Sequence, residues 1–226
     1  MPSFSGMPAR KAVPSNLRAV MPQGYLDIAR TPAVRAAEDA NGSTRLADHQ
    51  AQRVLDRFTA VDAQFIAERD SFYIASVSET GWPYVQHRGG PPGFLHVLDD
   101  KTLAFADFRG NRQYITLGNS NGNDRVSLIL MDYPNRRRMK IYAHIEARDL
   151  AADPALAAKL ALPGYKAHPE RAFVLHLEAF DWNCPQHITP RFTEAEVSAA
   201  LQPTLTRLAE LEAENKALKA KLGETG

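Results

Sequence analysis

The sequence has little of several features that mark specialised classes of protein. It contains one cysteine, Cys184, among 226 residues, which excludes an intramolecular disulfide and a cysteine-only zinc site. No apolar run approaches the ~20 residues that a membrane-spanning helix needs, and residues 1–13 lack the apolar core of a secretory signal. We therefore expect a protein of a reducing compartment, most simply the cytoplasm, without a membrane partner.

An excess of either charge is also missing. The chain has 27 lysines and arginines against 26 acidic residues, a formal net charge of +1. A chain with so little net charge lacks the excess of positive charge that is typical of nucleic-acid-binding proteins. The basic run at 136–138 falls in a predicted hairpin turn without interleaved aromatic residues, so a solvated turn explains it better. We expect no nucleic-acid partner.

Short β-forming segments separated by turn residues occupy the middle of the chain. They predict three hairpins, over 71–88, 94–107 and 125–150, and a last strand over 172–182. A short helix is predicted over 154–162. Because most strands follow one another without an intervening helix, the pattern favours an antiparallel sheet or small barrel over βαβ units. The predicted fold class is α+β with a β-barrel core.

The region before the strands predicts an arm followed by helices. Residues 1–30 are rich in proline, serine and glycine and are interpreted as irregular. A helix is predicted over 31–41, where threonine and proline start it and asparagine and glycine end it. Apolar residues continue at near-helical spacing over 46–58, and Thr59 is a candidate cap for a further helical turn.

The segment after Phe192 has a heptad pattern. Its a positions are Leu201, Leu208, Asn215 and Leu222, and its d positions are Thr204, Leu211 and Leu218. In a parallel dimer the pairs between positions g and e would be Arg207 with Glu212 and Glu214 with Lys219, both attractive. Asparagine at an a position favours a parallel dimer in register. We predict a coiled-coil-like helix; a single helix packed on its own barrel and a helix that recruits another partner are the alternatives.

Two loops concentrate glycine and polar residues, at 86–93 and 107–113. The second leaves a predicted strand and enters a helical pattern over 111–119, with Arg109 and Arg112 on either side of a glycine. Helix N-termini and guanidinium groups both bind phosphate. Because no Walker-type or Rossmann-type spacing is present, the spacing alone favours solvated arginines on a glycine turn over a phosphate site.

The block over 72–119, followed by 125–134, resembles the flavin-nucleotide-binding proteins related to pyridoxamine 5′-phosphate oxidase. The resemblance extends from about Phe65 to Arg191. It implies a six-stranded split β-barrel that binds FMN at the interface of a homodimer. Together with the patterns above, it divides the chain into an N-terminal arm with helices (1–64), an FMN-binding split barrel (65–192) and a C-terminal helix (193–226).

The resemblance also implies which residues would hold FMN. The strand that edges the isoalloxazine and ribityl chain would be Val85, Gln86, His87 and Arg88, with Arg88 reaching the phosphate. The strand passing the flavin would be Phe105, Ala106 and Asp107, and the second phosphate-gripping segment would be Asn111, Arg112 and Gln113. The partner subunit would contribute Asp132, Asn183, Cys184, Pro185, Gln186 and His187 over the ring. No residue is assigned a catalytic role.

The segment over 177–192 departs from authentic pyridoxamine phosphate oxidases. Glu178 and Trp182 remain, but the R-L-H segment and further arginine that hold the substrate phosphate are absent. The resemblance therefore implies the cofactor more strongly than vitamin B6 chemistry. We predict an FMN-dependent oxidoreductase with an unassigned small-molecule substrate or electron donor. Deazaflavin in the same slot, or flavin or haem binding without turnover, with His87 or His187 as haem ligand, are the alternatives.

Cys184 and His187 are spaced as two metal ligands could be. A structural zinc site needs four ligands, and the sequence offers no second Cys-x-x-Cys or His-x₃₋₅-His pair. We therefore predict no metal site and interpret the cysteine as a packed loop residue.

Overall fold

A computed structural model of the chain describes residues 23–51, 53–183 and 185–223. The strands are β1 Ser71–Val77, β2 Pro83–Gly89, β3 His96–Asp99, β4 Thr102–Phe108, β5 Arg125–Asp132, β6 Arg137–Arg148 and β7 Pro169–Trp182. The helices are α1 Tyr25–Ala29, α2 Pro32–Ala40, α3 Thr44–Ala51, α4 Ala60–Ala67, α5 Ile115–Gly122, α6 Pro154–Lys159 and α7 Glu194–Gly223.

All seven strands belong to one antiparallel sheet, in the order β2-β1-β5-β6-β7-β4-β3. The three predicted hairpins and the last strand are present, which confirms the α+β antiparallel fold class. The strand count is seven rather than six. The additional strand is short: β3 pairs only with β4 and forms one edge of the sheet.

The sheet is rolled into a split barrel. Phe72 of β1 and Phe105 of β4 have ring centroids 5.2 Å apart, although three strands lie between them in the sheet. In a flat sheet those strands would be separated by about 19 Å, four strand spacings. Arg88 of β2 reaches Asp107 of β4 at 2.7 Å, so side chains cross the remaining gap beside the edge strand β2. We call this gap the split.

The barrel interior is filled by alternate residues of its strands. On β5, for example, Val126, Leu128 and Leu130 are buried and the residues between them are only partly covered. Burying a side chain of this size contributes roughly 1.5–3 kcal/mol. A second, smaller apolar cluster lies where α6 covers the other face of β4 and β7, through Leu156 and Leu160.

The predicted helix caps in the N-terminal region are confirmed. Thr31 accepts a hydrogen bond from the backbone N–H of Val34, and α2 ends at Asn41. Thr59 and Asp62 form a reciprocal capping box at the start of α4. Helix α4 then buries Phe65 and Ile66 in the barrel core.

Two N-terminal predictions are wrong. Residues 25–29 form α1 rather than irregular chain: Asp27 accepts from the Gly24 N–H at its start, and the Tyr25 ring stacks on Tyr142 of β6 at 4.3 Å, a tertiary contact that holds the short helix on the barrel. The helix predicted over 46–58 ends at Ala51, because the following backbone bonds to the barrel instead. The carbonyl of Leu55 accepts from Phe180 N–H at 2.9 Å, and Phe58 N–H donates to the carbonyl of Asp100 at 2.7 Å. The remainder of the predicted arm, residues 1–22, lies outside the described residues.

The predicted C-terminal helix is confirmed as α7, 30 residues long and continuous through Pro203. Thr193 and Glu196 form a capping box at its start. Every residue of α7 is exposed, so the helix buries no side chain against its own barrel, and its first turn borders the barrel where Glu196 lines a groove with Arg69 and Tyr133. Among the described residues, neither α7 nor any other helix has the length and apolarity required to cross a bilayer.

Candidate functional site

A pocket opens beside the split, between β2, the β4–α5 connection and the start of β7. It brings together six of the residues predicted to hold FMN: Gln86, Arg88, Asp107, Asn111, Arg112 and Gln113. Polar residues that sequence reasoning did not assign also line it: Tyr84, Tyr114 and Glu170. The pocket thus joins segments that lie far apart in the sequence. That these residues bind a flavin stays a prediction.

Strand alternation decides which residues of β2 reach the pocket. Tyr84, Gln86 and Arg88 share one face and are half-buried, whereas Val85 and His87 are exposed on the opposite face. The side-chain period of two in a strand makes this separation unavoidable. The predicted contacts of Val85 and His87 with a flavin would therefore have to form outside this pocket.

An ion-pair bridge made by Arg88, Asp107 and Arg171 crosses the split. Arg88 Nη1 donates to Asp107 Oδ1 at 2.7 Å, and Arg171 Nη1 donates to Asp107 Oδ2 at 3.4 Å. Arg171 is placed by strand pairing, since it lies directly opposite Asp107 in the β4–β7 register. All three side chains are largely buried, with 17%, 9% and 19% of Arg88, Asp107 and Arg171 exposed.

Burial dominates the ionisation of Asp107. Desolvation raises the pKa of this carboxyl above its usual value, although Arg88 and Arg171 both act to lower it. A carboxylate in this environment holds two guanidinium groups at the pocket while adding negative charge beside them. The arginines are therefore fixed in position before any ligand arrives.

Arg88 retains a donor that the chain does not satisfy. Its Nε is buried and has no hydrogen-bond partner among the described residues. The guanidinium carbon lies 5.9 Å from the ring centre of Phe105 and 5.8 Å from that of Phe173, which places the side chain over the aromatic core. A buried unpaired donor costs free energy. Because this Nε is covered by the barrel itself, a ligand in the pocket would have to bind Arg88 through its terminal guanidinium nitrogens.

The loop entering α5 is held in a strained conformation. Arg112 and Tyr114 have positive φ angles of 62° and 54°, which are unusual for residues other than glycine. Arg112 Nε donates to the hydroxyl of Tyr114, which donates in turn to Glu170, each at 3.2 Å. Arg171 lies over the Tyr114 ring, 5.0 Å from its centre. Strain of this kind is concentrated at functional sites.

The helix that follows starts later than the sequence predicts. The pattern over 111–119 predicts helix from its first residues, but α5 begins at Ile115 with Tyr114 in the left-handed conformation as its N-cap. The difference arises because Arg112 and Tyr114 are drawn into the pocket wall. Asn111 and Gln113 accompany them, with an Asn111 to Gln113 side-chain bond of 3.1 Å.

Gln86 lines the pocket with its carboxamide oxygen already bonded. The hydroxyls of Tyr84 and Thr116 both approach its carboxamide oxygen, at 3.0 and 3.5 Å. Since the oxygen is occupied, the NH₂ group is the part of the side chain that can donate to a ligand. Gln86 and Arg88 together give β2 two donors on one face.

The other predicted residues lie elsewhere in the chain. Phe105 and Ala106 are buried in the β4 wall, one in each apolar cluster. Asp132 accepts from Asn135 and lies 3.6 Å from Arg69. Asn183 lies near Asp181 and Lys140 in a separate groove. The remaining positions are Gln186 and His187, which are exposed, and Cys184, which lies outside the described residues.

None of Asp132, Asn183, Gln186 and His187 lines the pocket of its own chain. Any contribution from them would have to come from a second subunit, as the resemblance implies. Within residues 23–51, 53–183 and 185–223, no three histidine, cysteine or acidic side chains converge to hold a metal ion.

Fold and pocket together define a split antiparallel barrel with an arginine-lined pocket beside its gap. The family model of pyridoxamine 5′-phosphate oxidase matches residues 58–180, slightly more than half of the chain. The chain belongs to this family. The match ends at Phe180, before the segment that contains Asn183 and His187.

Solved structures show only distant similarity. An FMN-binding protein from Syntrophomonas wolfei is 13% identical, with a TM-score of 0.43 and coverage of 66% of this chain and 97% of that chain. HupZ from Group A Streptococcus is 15% identical, with a TM-score of 0.42 and coverage of 60% and 99%. An F420 reductase is 19% identical, with a TM-score of 0.37 and coverage of 51% and 93%. No curated protein matches the chain in sequence. These similarities are too weak for any of the three proteins' ligands to be transferred to this chain.

Proposed function

We propose that the protein binds FMN in the pocket beside the split and acts as a flavin-dependent oxidoreductase. The observation that carries the proposal is the convergence of Arg88 and Arg112 on one pocket, together with the side-chain amides that line it. Membership of the pyridoxamine 5′-phosphate oxidase family supports the choice of cofactor.

The residues of this chain would hold the phosphate end of the cofactor. Arg88 and Arg112 supply positive charge, and guanidinium groups bind phosphate oxygens through paired N–H donors. The amide nitrogens of Gln86, Asn111 and Gln113 add neutral donors around the same opening. Asp107 keeps Arg88 in place from behind. A deazaflavin would offer this anchor the same anionic group.

Redox chemistry in such a protein belongs to the cofactor: a bound flavin accepts a hydride and passes electrons on. The chain supplies position and electrostatics. Within one chain the described pocket is lined by two arginines and no histidine, so a haem bound there would need its axial ligand from a second subunit, whereas the arginines suit the phosphate of a flavin nucleotide. We therefore place flavin ahead of haem and propose turnover with a small-molecule donor.

We further propose that the protein is a homodimer with the flavin at the seam between two barrels. Support comes from the positions of Asp132 and His187, which do not reach the pocket of their own chain. If they contact the ring, as the resemblance implies, a second subunit must bring them there.

Cofactor content tests the proposal directly. The purified protein should be yellow and release FMN on denaturation. In the Arg88→Ala variant and in the Arg112→Ala variant, FMN affinity should fall about 10- to 100-fold each, the scale of one charged hydrogen bond. Fluorescence quenching of added FMN measures this affinity. A double variant that stays fully loaded would overturn the phosphate assignment.

Two controls separate binding from folding. Arg57→Ala removes an arginine from an exposed ion pair with Asp100 and should leave FMN affinity unchanged. Arg88→Lys keeps the charge but loses the paired donors, so it should bind FMN with intermediate affinity. Turnover is tested separately, by anaerobic reduction of the bound flavin with NADH and NADPH. Failure of every donor would leave flavin binding without oxidoreductase activity.

A further inference from the structure

Helix α7 carries an apolar stripe that its own chain leaves exposed. Leu208, Leu211 and Leu218 are 51%, 45% and 51% exposed, although they lie on one continuous helix. At 1.5 Å per residue, a helix of this length extends about 45 Å. An exposed row of leucines over such a length marks an interaction surface.

The stripe has the period of a two-helix seam. In the register with Leu201 at position a, the seam residues from Leu208 onward are separated alternately by three and four residues: Leu208, Leu211, Asn215, Leu218 and Leu222. Val197 falls on the preceding d position and is 45% exposed, so the structure extends the stripe toward the start of α7. An average spacing of 3.5 residues keeps a seam facing a second helix rather than a sheet.

We propose that α7 pairs with α7 of a second copy of this chain, as a parallel, in-register, two-stranded coiled coil. Asn215 identifies this partner, because an asparagine at an a position is accommodated when it meets the asparagine of an identical helix. In an antiparallel pair an a residue faces d residues, and Asn215 would lie against Leu211 or Leu218 without a polar partner.

Charges beside the seam support the same arrangement. Position g of one helix lies near position e of the next heptad in its partner, so Arg207 meets the partner's Glu212 and Glu214 meets the partner's Lys219. Arg207 already lies 3.0 Å from Glu210 of its own helix, a surface pair that leaves its other donors available. The pairs are attractive in both directions of the symmetric dimer.

The first turns of α7 contribute least to the pairing. Pro203 lacks an N–H, so the carbonyl of Ala199 has no donor at the usual position, and Thr204 occupies a d position. The strong part of the seam is therefore residues 205–222. A coil this short is marginal as an isolated peptide, but two barrels that associate would raise the effective concentration of their helices. For this reason the tests use the full chain.

Disulfide trapping tests direction and register. In a Cys184→Ser background, Asn215→Cys and, separately, Leu208→Cys should each form a cross-linked dimer under mild oxidation. Ala213→Cys, at the outward f position, should not. An antiparallel pair has one symmetry axis and could cross-link only one of the two seam variants. Cross-linking of one seam variant, of neither, or of all three alike would overturn the proposal.

Charge reversal tests the partner contacts. In the Asn215→Cys variant, Glu214→Lys places like charges at two g–e contacts of the dimer. The effective concentration of the two introduced thiols toward each other, measured by disulfide formation in a glutathione redox buffer, should then fall about tenfold. Adding Lys219→Glu should restore it, because the reversed pair is again attractive in a parallel dimer. An unchanged value, or no restoration, would contradict the arrangement. The pairing of α7 rests on the proposed association of the barrels, but neither readout involves flavin, so failure of the coiled coil and failure of flavin binding are distinguishable.

Discussion

The barrel and α7 differ in how much apolar surface they bury within one chain. The barrel buries Phe72, Phe105 and Phe173 almost completely, each 1% exposed or less, and closes its strands on one another. Helix α7 buries none of its residues. Since apolar burial is the main stabilising contribution to folding, the barrel supplies the stability of this chain, whereas α7 adds no buried surface of its own.

This difference shows how two similar apolar patterns lead to different outcomes. The strands find their partners within the chain, because hairpins bring β1 to β2 and β5 to β6 over short loops. The heptads of α7 have no complementary helix among the described residues. A regular pattern thus predicts the element well, but only the position of its partner decides whether the element is buried.

The largest expected effect is on the barrel alone. Phe72→Ala removes a ring that contacts Phe94 and Phe105, and should lower the free energy of unfolding by about 3–5 kcal/mol. Trp182 fluorescence in a denaturant titration measures it, since this indole packs against Phe65 at 4.5 Å. A loss below about 1 kcal/mol would show that the inside of the barrel is not the stabilising core.

The split should be the next most sensitive place. Asp107→Ala leaves Arg88 and Arg171 without their shared carboxylate and should cost about 2–3 kcal/mol of unfolding free energy. Added sulfate should recover part of that loss, because an anion can replace the carboxylate between the guanidinium groups. Asp100→Ala, which breaks an exposed ion pair, serves as the control without sulfate rescue. No rescue of the first variant would argue against an anion site beside the bridge.

The cap of α4 should contribute less. Thr59→Ala removes the hydroxyl that accepts from the backbone N–H of Asp62, and should lower the free energy of unfolding by about 1 kcal/mol. Thr31→Ala removes the corresponding cap of α2, a helix without buried residues, and should have the smaller effect. Equal losses in thermal unfolding would show that α2 is as tightly coupled to the barrel as α4.

Asp107 should also give stability a pH dependence. Burial raises its pKa, so the folded chain holds this proton more tightly than the unfolded chain does. The stability that this proton contributes is fully present at pH values below the pKa of Asp107 in the unfolded chain. It is lost as the pH rises through the higher pKa of Asp107 in the folded chain. Asp107→Asn, which cannot titrate, should lack this part of the slope. Parallel stability curves for the two proteins between pH 3 and 7 would contradict the assignment.

The smallest expected effect on stability comes from a substitution in α7. At a concentration low enough for the chain to be monomeric, Leu211→Ala should change the unfolding free energy of the barrel by less than about 0.5 kcal/mol, because the side chain is exposed. Denaturant unfolding followed by Trp182 fluorescence checks it. A larger change would mean that α7 contributes to barrel stability within one chain.

Much of the fold could be predicted from local signals. Turn residues and β-forming segments located every hairpin, and Thr59 marked the start of α4 by its hydroxyl. The errors occur where distant contacts override local pattern. Helix α1 is held on the barrel by the stack of Tyr25 on Tyr142, and the residues around Leu55 are extended because the barrel provides their hydrogen bonds.

The candidate site was predictable in part for the same reason. Arg88 and Gln86 follow from resemblance, and alternation along β2 would also have indicated Tyr84 as their neighbour. Glu170 in the pocket and Arg171 in the bridge behind it give no such signal, since both are placed by the pairing of β7 with β4. The positive φ angles at Arg112 and Tyr114 are likewise invisible in a sequence that places no glycine there.

The split is the least strongly connected part of the barrel wall. Between β2 and β4 the chain is joined by the Arg88–Asp107 contact, whereas each neighbouring pair in the sheet is joined by a backbone ladder. Ladders open cooperatively, but an ion pair can exchange partners one contact at a time. A movement that widened the wall beside the pocket to admit a ligand would therefore break this contact and leave all six ladders of the described strands intact. The backbone amides of the strands would then exchange their hydrogens no faster while a ligand entered the pocket.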